Sequence, residues 1–175
     1  MLFRSIVVGR ADLVARLKKN PLKRALRCDK LTLTALSAVL PLYADPDRLA
    51  ASLPALQMLT RPVAGIEAQA RRLLPAMAAW CGDASRVDVC PVHSQIGSGA
   101  MPVDLLPSFA LRLTPKGPAR SAGRALAGLA LRLRGLPVPV VGRIAQDALL
   151  LDLRCVASTE VEAAFAAQFS LAGQT

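Results

Sequence analysis

Arg86-Val87-Asp88-Val89-Cys90-Pro91 is the stretch in which the chain changes texture. Val87, Val89 and Pro91 alternate with more polar neighbours, the period-two pattern of a half-buried strand. Downstream, Ser108 to Thr114 alternates again, and Pro115-Lys116-Gly117-Pro118 is a turn-rich break. Ser121 to Leu133 then repeats apolar residues at helical spacing, with Leu126, Leu129, Ala130 and Leu133 inward. Pro137 to Gly142 and Ala148 to Leu153 read as two more strands joined across Ala145-Gln146-Asp147. Thr159 stands where a cap would start a last helix, with Val161, Phe165 and Phe169 facing the sheet. The order strand, strand, helix, strand, strand, helix predicts a small antiparallel sheet with helices on one face.

Upstream the pattern is helical. Ile6-Val7-Val8 reads as a short buried strand ending at Gly9, and no other strand is expected before residue 85. Ala11 to Lys19 is an amphipathic helix with Leu13, Val14 and Leu17 inward, stopped by Asn20-Pro21. The chain becomes helical again after Pro21, and Asp29 caps or kinks the approach to a Leu31–Tyr43 helix whose apolar face is Leu33, Leu36, Val39 and Leu40. Asp45-Pro46-Asp47 is a start signal, with Asp45 as cap and Pro46 in the first turn. Thr60-Arg61-Pro62 repeats that chemistry before a helix with Val63, Ile66, Ala70, Leu73, Leu74 and Met77 buried. Pro75 is expected to kink or split it, and Gly82-Asp83 to close it.

The 175 residues are enough for one domain with a real core. Hydrophobic residues make up 53%, and the mean hydropathy of +0.40 is carried by Ala and Leu. No run of about eighteen apolar residues occurs, so no membrane span is expected. The short apolar piece after Met1 is interrupted by Arg10, which argues against a secretory leader and for a cytoplasmic protein. Such a hydrophobic chain is expected to have a surface covered by something else.

Charge is uneven: residues 1–30 hold nine basic side chains against Asp12 and Asp29, +7 of the overall +10. A basic third fits a phosphate or RNA partner or, more plainly, a solvated face. One Trp and one Tyr are too few for a base-stacking platform. Cys28, Cys81, Cys90 and Cys155 form no Cys-x-x-Cys pair, and with His93 the only histidine they assemble no metal set; small buried thiols are expected. Gly97-Ser98-Gly99 reads as a turn rather than a phosphate cradle. His93 and Ser94 point to opposite faces of a strand, so no nucleophile and base can be paired there. Arg143 and Arg154 border apolar strands; they suit an anion or, more plainly, ion pairs with Asp147 or Asp152. Arg24 and Arg27 stand three apart, so on a helix their guanidinium groups project from one face and can hold a phosphate-like anion bidentately. A solvated basic turn is the plain alternative.

The run Pro21-Leu22-Lys23-Arg24-Ala25-Leu26-Arg27-Cys28-Asp29-Lys30-Leu31-Thr32 resembles a stretch of bacterial selenocysteine synthase, the L-seryl-tRNA(Sec) selenium transferase family. So do Leu59-Thr60-Arg61-Pro62, Ser94 to Gly99 with Pro102-Val103, Leu136 to Ile144, and Leu151-Asp152-Leu153-Arg154. These blocks fall in the family's order from about Ile6 to near Phe169, and they match its C-terminal part.

The resemblance implies the α/β fold of a fold-type-I pyridoxal-phosphate transferase, here the α+β small domain preceded by a helical arm. Residues 1–30 would be a remnant of the large cofactor domain, 31–85 a helical connector and 86–175 the small domain. It implies conversion of seryl-tRNA(Sec) to selenocysteinyl-tRNA(Sec) with selenophosphate, pyridoxal phosphate as cofactor, a homo-oligomer, and neither a membrane nor DNA as partner. Arg24 and Arg27 match family arginines associated with the anionic selenium donor. The family's cofactor lysine lies in a run resembling Asp-Lys-Leu-Leu-Gly-Gly-Pro-Gln, just before the strand matching Ile6-Val7-Val8-Gly9. Met1 to Ser5 do not resemble that run, and Lys30 matches a different lysine. No catalytic residue is therefore expected in this chain, nor catalysis by it alone. Two other classes stay open: a non-catalytic RNA-binding or regulatory module, and the small domain of another pyridoxal-phosphate enzyme.

Overall fold

A computed structural model of the chain describes residues 7–94 and 105–171. The chain forms two compact units divided between Leu49 and Ala50, inside the segment 31–85 read above as a connector.

The first unit is helical. Helix α1 covers Ala11–Lys19, the bounds expected; Asp12 in its first turn and Lys18 and Lys19 in its last suit the helix dipole. A 3-10 turn, Pro21–Arg24, follows, then α2, Lys30–Val39, and a second 3-10 turn, Leu40–Ala44. Pro41 explains why the long Leu31–Tyr43 helix ends early, since it offers no N–H to continue the ladder. Helix α3, Pro46–Ser52, starts as expected, with the Arg48 N–H donating to Asp45 Oδ1 at 3.4 Å. None of these elements buries a side chain. Val7 and Val8 form no strand and are 64% and 85% exposed, contrary to the buried strand expected; a strand needs a partner edge, and the described residues of this unit form only helices and turns. Ile6 lies outside the described residues.

The second unit holds the core. Helix α4, Pro54–Thr60, was not foreseen; Thr60 closes it by donating its hydroxyl to the Leu56 carbonyl, rather than starting the next helix. Helix α5, Val63–Cys81, runs unbroken through Pro75. That proline is exposed, so water can satisfy the carbonyl it leaves unpaired. Gly82, at φ +56°, ends the helix in a conformation that favours glycine. Strand β1, Ser85–Ser94, and strand β2, Leu106–Pro115, pair antiparallel, with Val87 opposite Leu113 and Val89 opposite Leu111. Helix α6, Ala119–Arg134, leads to β3, Arg143–Ala145, which turns into β4, Ala148–Asp152; after a 3-10 turn at Leu153–Cys155, α7 spans Thr159–Leu171.

The strand order is β1-β2-β4-β3, with every neighbouring pair antiparallel. Ile66, Met77, Leu111, Leu133 and Leu149 are fully enclosed between the sheet and the helices, and the buried faces of α5, α6 and α7 all join this one cluster. The expected small antiparallel sheet with helices on one face is thus present. Trp80 meets Phe169 edge-on at 5.5 Å, and the Arg132 guanidinium lies 4.3 Å from the Trp80 ring.

Two details differ from expectation. Pro137 to Gly142 is not a strand, because Pro137 and Pro139 have no N–H for a ladder; the third strand is only Arg143–Ala145. The run instead packs back, with the Val140 N–H donating to the Leu133 carbonyl at 3.0 Å. At Gly142 a Cβ would stand 2.8 Å from the Leu150 carbonyl oxygen, so only glycine lets the chain approach β4 there. Gln146 and Asp147, both with φ above +50°, make the tight β3–β4 turn. The last helix is capped by Ser158, whose Oγ accepts from the Val161 N–H, one residue before the Thr159 expected.

Candidate functional site

The arginine segment is held between two caps. Asn20 Oδ1 accepts the Leu22 N–H at 2.9 Å and starts the 3-10 turn, with Pro21 in its first position. Asp29 takes the Thr32 N–H at 2.7 Å and the Thr32 hydroxyl at 2.9 Å, capping α2. Between them the turn ends at Arg24, while Arg27 lies beyond it in irregular chain. The single helical platform expected for Arg24 and Arg27 is therefore absent. Both residues are exposed, and neither guanidinium makes a hydrogen bond or ion pair among the described residues. Beside them in the chain opens a groove of about 400 Å³ lined by Val14, Leu17, Lys18, Leu22, Lys23 and Leu26.

A second arginine pair was not foreseen in its role. Arg154, only 2% exposed, donates to the carbonyls of Met58, Leu59 and Arg61 at 2.9, 3.3 and 3.4 Å, and to that of Pro107. It thereby satisfies the open carbonyls at the C-terminus of α4, where positive charge is favourable. Arg61 reciprocates, donating to the carbonyls of Leu153, Arg154 and Val156 at 2.8 to 2.9 Å and to Gln69 Oε1 at 2.9 Å. Each arginine thus binds the backbone that carries the other. Burial, then the neighbouring Arg154 charge, hold the Arg61 guanidinium below its ordinary pKa. Gln69 passes the network on to Glu162, which also takes a bidentate bond from Arg72 at 2.9 and 3.0 Å. That bond from Arg72 is the main reason the Glu162 carboxyl lies below its usual pKa. The ion pair expected between Arg154 and Asp152 does not form; only the Arg154 backbone N–H reaches that carboxylate, at 3.1 Å. Both arginines lie in blocks that carry the family resemblance, and nothing in the sequence pointed to their mutual binding of backbone carbonyls.

Asp152 is instead bound by the hydroxyl of Ser94 and, at 2.8 Å, by that of Ser108, both serines being buried. His93 is exposed. Gly97-Ser98-Gly99, Pro102 and Val103 lie outside the described residues. Cys81 and Cys90 are buried, and burial pushes the Cys81 thiol up to about 11 and raises that of Cys90. Cys28 and Cys155 are exposed, against the expectation of buried thiols throughout. Among the described residues no three His, Cys, Asp or Glu side chains gather as a metal ion would require. All five lysines (Lys18, Lys19, Lys23, Lys30 and Lys116) are exposed. A lysine that reacts with an aldehyde cofactor must be desolvated enough to shed its proton, so the residues described here do not fit pyridoxal phosphate by themselves.

Comparison with known proteins gives a consistent result. A family model described as L-seryl-tRNA selenium transferase matches residues 4–157. A protein named L-seryl-tRNA(Sec) selenium transferase from Rhizobium meliloti (strain 1021) is 50% identical over 157 residues, which is 89% of this chain and 32% of that protein. Proteins of the same name from Escherichia fergusonii and Escherichia coli O139:H28 are 51% and 52% identical over 151 residues, 86% of this chain and 32% of theirs. The chain therefore spans about a third of the length of the curated relatives it matches.

Proposed function

The chain belongs to the L-seryl-tRNA selenium transferase family, and from that premise we propose that it forms the C-terminal part of an enzyme converting seryl-tRNA(Sec) to selenocysteinyl-tRNA(Sec) with selenophosphate. The observation that carries this reading is about 50% identity across most of the chain, and the family model's match at residues 4–157 spans the arginine segment. Pyridoxal phosphate would be held by polypeptide outside these residues; when bound, it supplies the electron sink for exchange at the serine β-carbon. The work assigned to this chain is to carry Arg24 and Arg27. Their free guanidinium groups would neutralise and orient an anionic selenium donor, replacing its water with fixed donors. By itself the chain is not expected to catalyse.

We place this activity in the cytoplasm, where aminoacyl-tRNAs are made and used. Among the described residues no helix is long and apolar enough to cross a membrane. Association with further copies or with the rest of such an enzyme accounts for the apolar side chains left open in the first unit, among them Leu26 at 81% and Leu31 at 83% exposure. The isolated chain is expected to self-associate, and sedimentation at increasing concentration checks this: a rising weight-average mass is expected, and a constant monomer mass would count against it.

The donor-site role is tested by fusing this chain behind the N-terminal two thirds of the Rhizobium meliloti relative. In an active fusion, Arg27→Lys keeps the charge but loses the planar fork. Selenium transfer should fall roughly a hundredfold, equivalent to about 2–3 kcal/mol for an unmade charge-assisted bond, while tRNA binding holds. Intact transfer with weakened tRNA binding would instead favour the second reading, an RNA-binding module, which the nine-to-two excess of basic residues within 1–30 supports.

A further inference from the structure

The face of the sheet turned away from the helices carries its own small cluster of Cys90, Ala110 and Leu150, with Val92 and Ala145 against it, and every member comes from a strand. Around this cluster the strand registers assemble a charged row. Asp88 stands opposite Arg112, Arg112 opposite Leu150, and Leu150 opposite Arg143, so the row crosses all four strands. Arg86 lies opposite Thr114 in the next row. Residues directly opposite one another in antiparallel strands share a face, so the three arginines and Asp88 project from the same side.

Asp88 is shared. It accepts from Arg112 at 2.8 and 2.6 Å and from Arg86 at 3.2 Å, so one carboxylate serves two guanidinium groups. Those bonds, that of Arg112 first, hold the Asp88 carboxyl below its ordinary pKa and keep it charged. Arg143 makes no hydrogen bond or ion pair among the described residues and is exposed, and the Arg86 side chain is 71% exposed. Asp152, opposite Ala110, shares this face, so three guanidinium groups stand against two carboxylates, an excess of one positive charge. Arg112 and Arg143 lie two strand intervals apart, about 10 Å. No aromatic side chain from the paired positions stands among them, so the face can meet an anionic chain by charge but not by base stacking.

We propose that this sheet face binds the phosphodiester backbone of RNA, with Arg143 as the unpaired contact, Arg86 as a second, exposed contact that also bonds Asp88, and Asp88 fixing the orientation of Arg112. The choice of RNA over an acidic protein rests on the proposed function, because the chain's relatives are named for a tRNA substrate. The contact is independent of sequence and separate from the arginine segment at residues 24–27.

The test uses the 175-residue chain and a fluorescein-labelled tRNA transcript, with binding measured by anisotropy from 50 to 300 mM salt. The double variant Arg86→Gln with Arg143→Gln removes two exposed charges, and a urea melt checks that its fold is kept. Affinity at 50 mM salt is expected to fall about tenfold or more, and the slope of log affinity against log salt to flatten by about 1 to 2. The control double variant, Arg120→Gln with Arg124→Gln, removes the same charge from exposed positions on α6 and should change affinity less than about twofold. Equal losses in the two double variants, an unchanged slope in the sheet variant, or wild-type binding weaker than about 10⁻⁴ M would each overturn the proposal. If Arg27→Lys still lowers selenium transfer roughly a hundredfold in the fusion while the sheet variant binds RNA normally, the proposed function stands and this surface is discarded.

Discussion

Replacing Arg154 by methionine is expected to lower the stability of the second unit by about 4 kcal/mol. Methionine keeps much of the side-chain length but supplies none of the donors. The carbonyls of Met58, Leu59, Arg61 and Pro107 then lose a buried partner together, in a site only 2% exposed. Each unsatisfied carbonyl costs about 1–3 kcal/mol. Part of that is offset, because a desolvated charge is also removed, its Nε has no partner, and its repulsion of Arg61 disappears. Four unsatisfied carbonyls outweigh one relieved charge. The midpoint of a urea melt should fall with an unchanged slope, and the melting temperature by about 10 °C. Because each arginine binds the other's backbone, Arg61→Met and Arg154→Met should not add in the double variant. A midpoint at or above wild type for Arg154→Met would mean that the buried charge, not the carbonyls, dominates the site.

How much of this could be read in advance depends on how local each cause is. The α5 stripe of Ile66, Ala70, Leu73 and Met77 was legible because burial imposes its period directly on the sequence, and β1 was legible through Val87 and Val89, which pack against the core, although Pro91 is exposed and Cys90 buried. The end of α1 at Asn20 was legible for the same reason, being set by the side chain next to the break. Pro137 to Gly142 misled because its valines have strand propensity, while its prolines remove the donors a strand needs; the third strand is the short piece after it. Val7 and Val8 misled because a propensity for extended chain cannot supply a partner edge. The arginines divide along the same line. Arg24 and Arg27 could be placed near each other because they are three residues apart, although the 3-10 turn ending at Arg24 denies them a common helix. Arg61 and Arg154 are 93 residues apart and bind carbonyls, which every residue carries, so no residue type marks their partners. The sheet row from Asp88 to Arg143 likewise exists only once the registers are known.

Asp152→Ala is expected to cost about 3–4 kcal/mol, and the reason separates a structural carboxylate from a catalytic one. Ser94 and Ser108 are 5% and 2% exposed, and both hydroxyls donate to Asp152, which also accepts the Arg154 N–H. Alanine leaves three donors without this acceptor in a place where water enters poorly, and the full desolvation cost of each then counts against the fold. A carboxylate kept for chemistry behaves differently: its removal costs activity and tends to leave stability alone or raise it. Asp152→Asn should be milder, about 1–2 kcal/mol, because its amide oxygen still accepts one of these bonds while the charge is lost. The stricter comparison is the triple variant Ser94→Ala, Ser108→Ala, Asp152→Ala, which removes the hydroxyl donors together with their acceptor. With only the Arg154 N–H left over, the triple variant should be more stable than Asp152→Ala alone, by about 1–2 kcal/mol in urea melts. If the single variant melts like wild type, the two serines have other partners and Asp152 is free for another role.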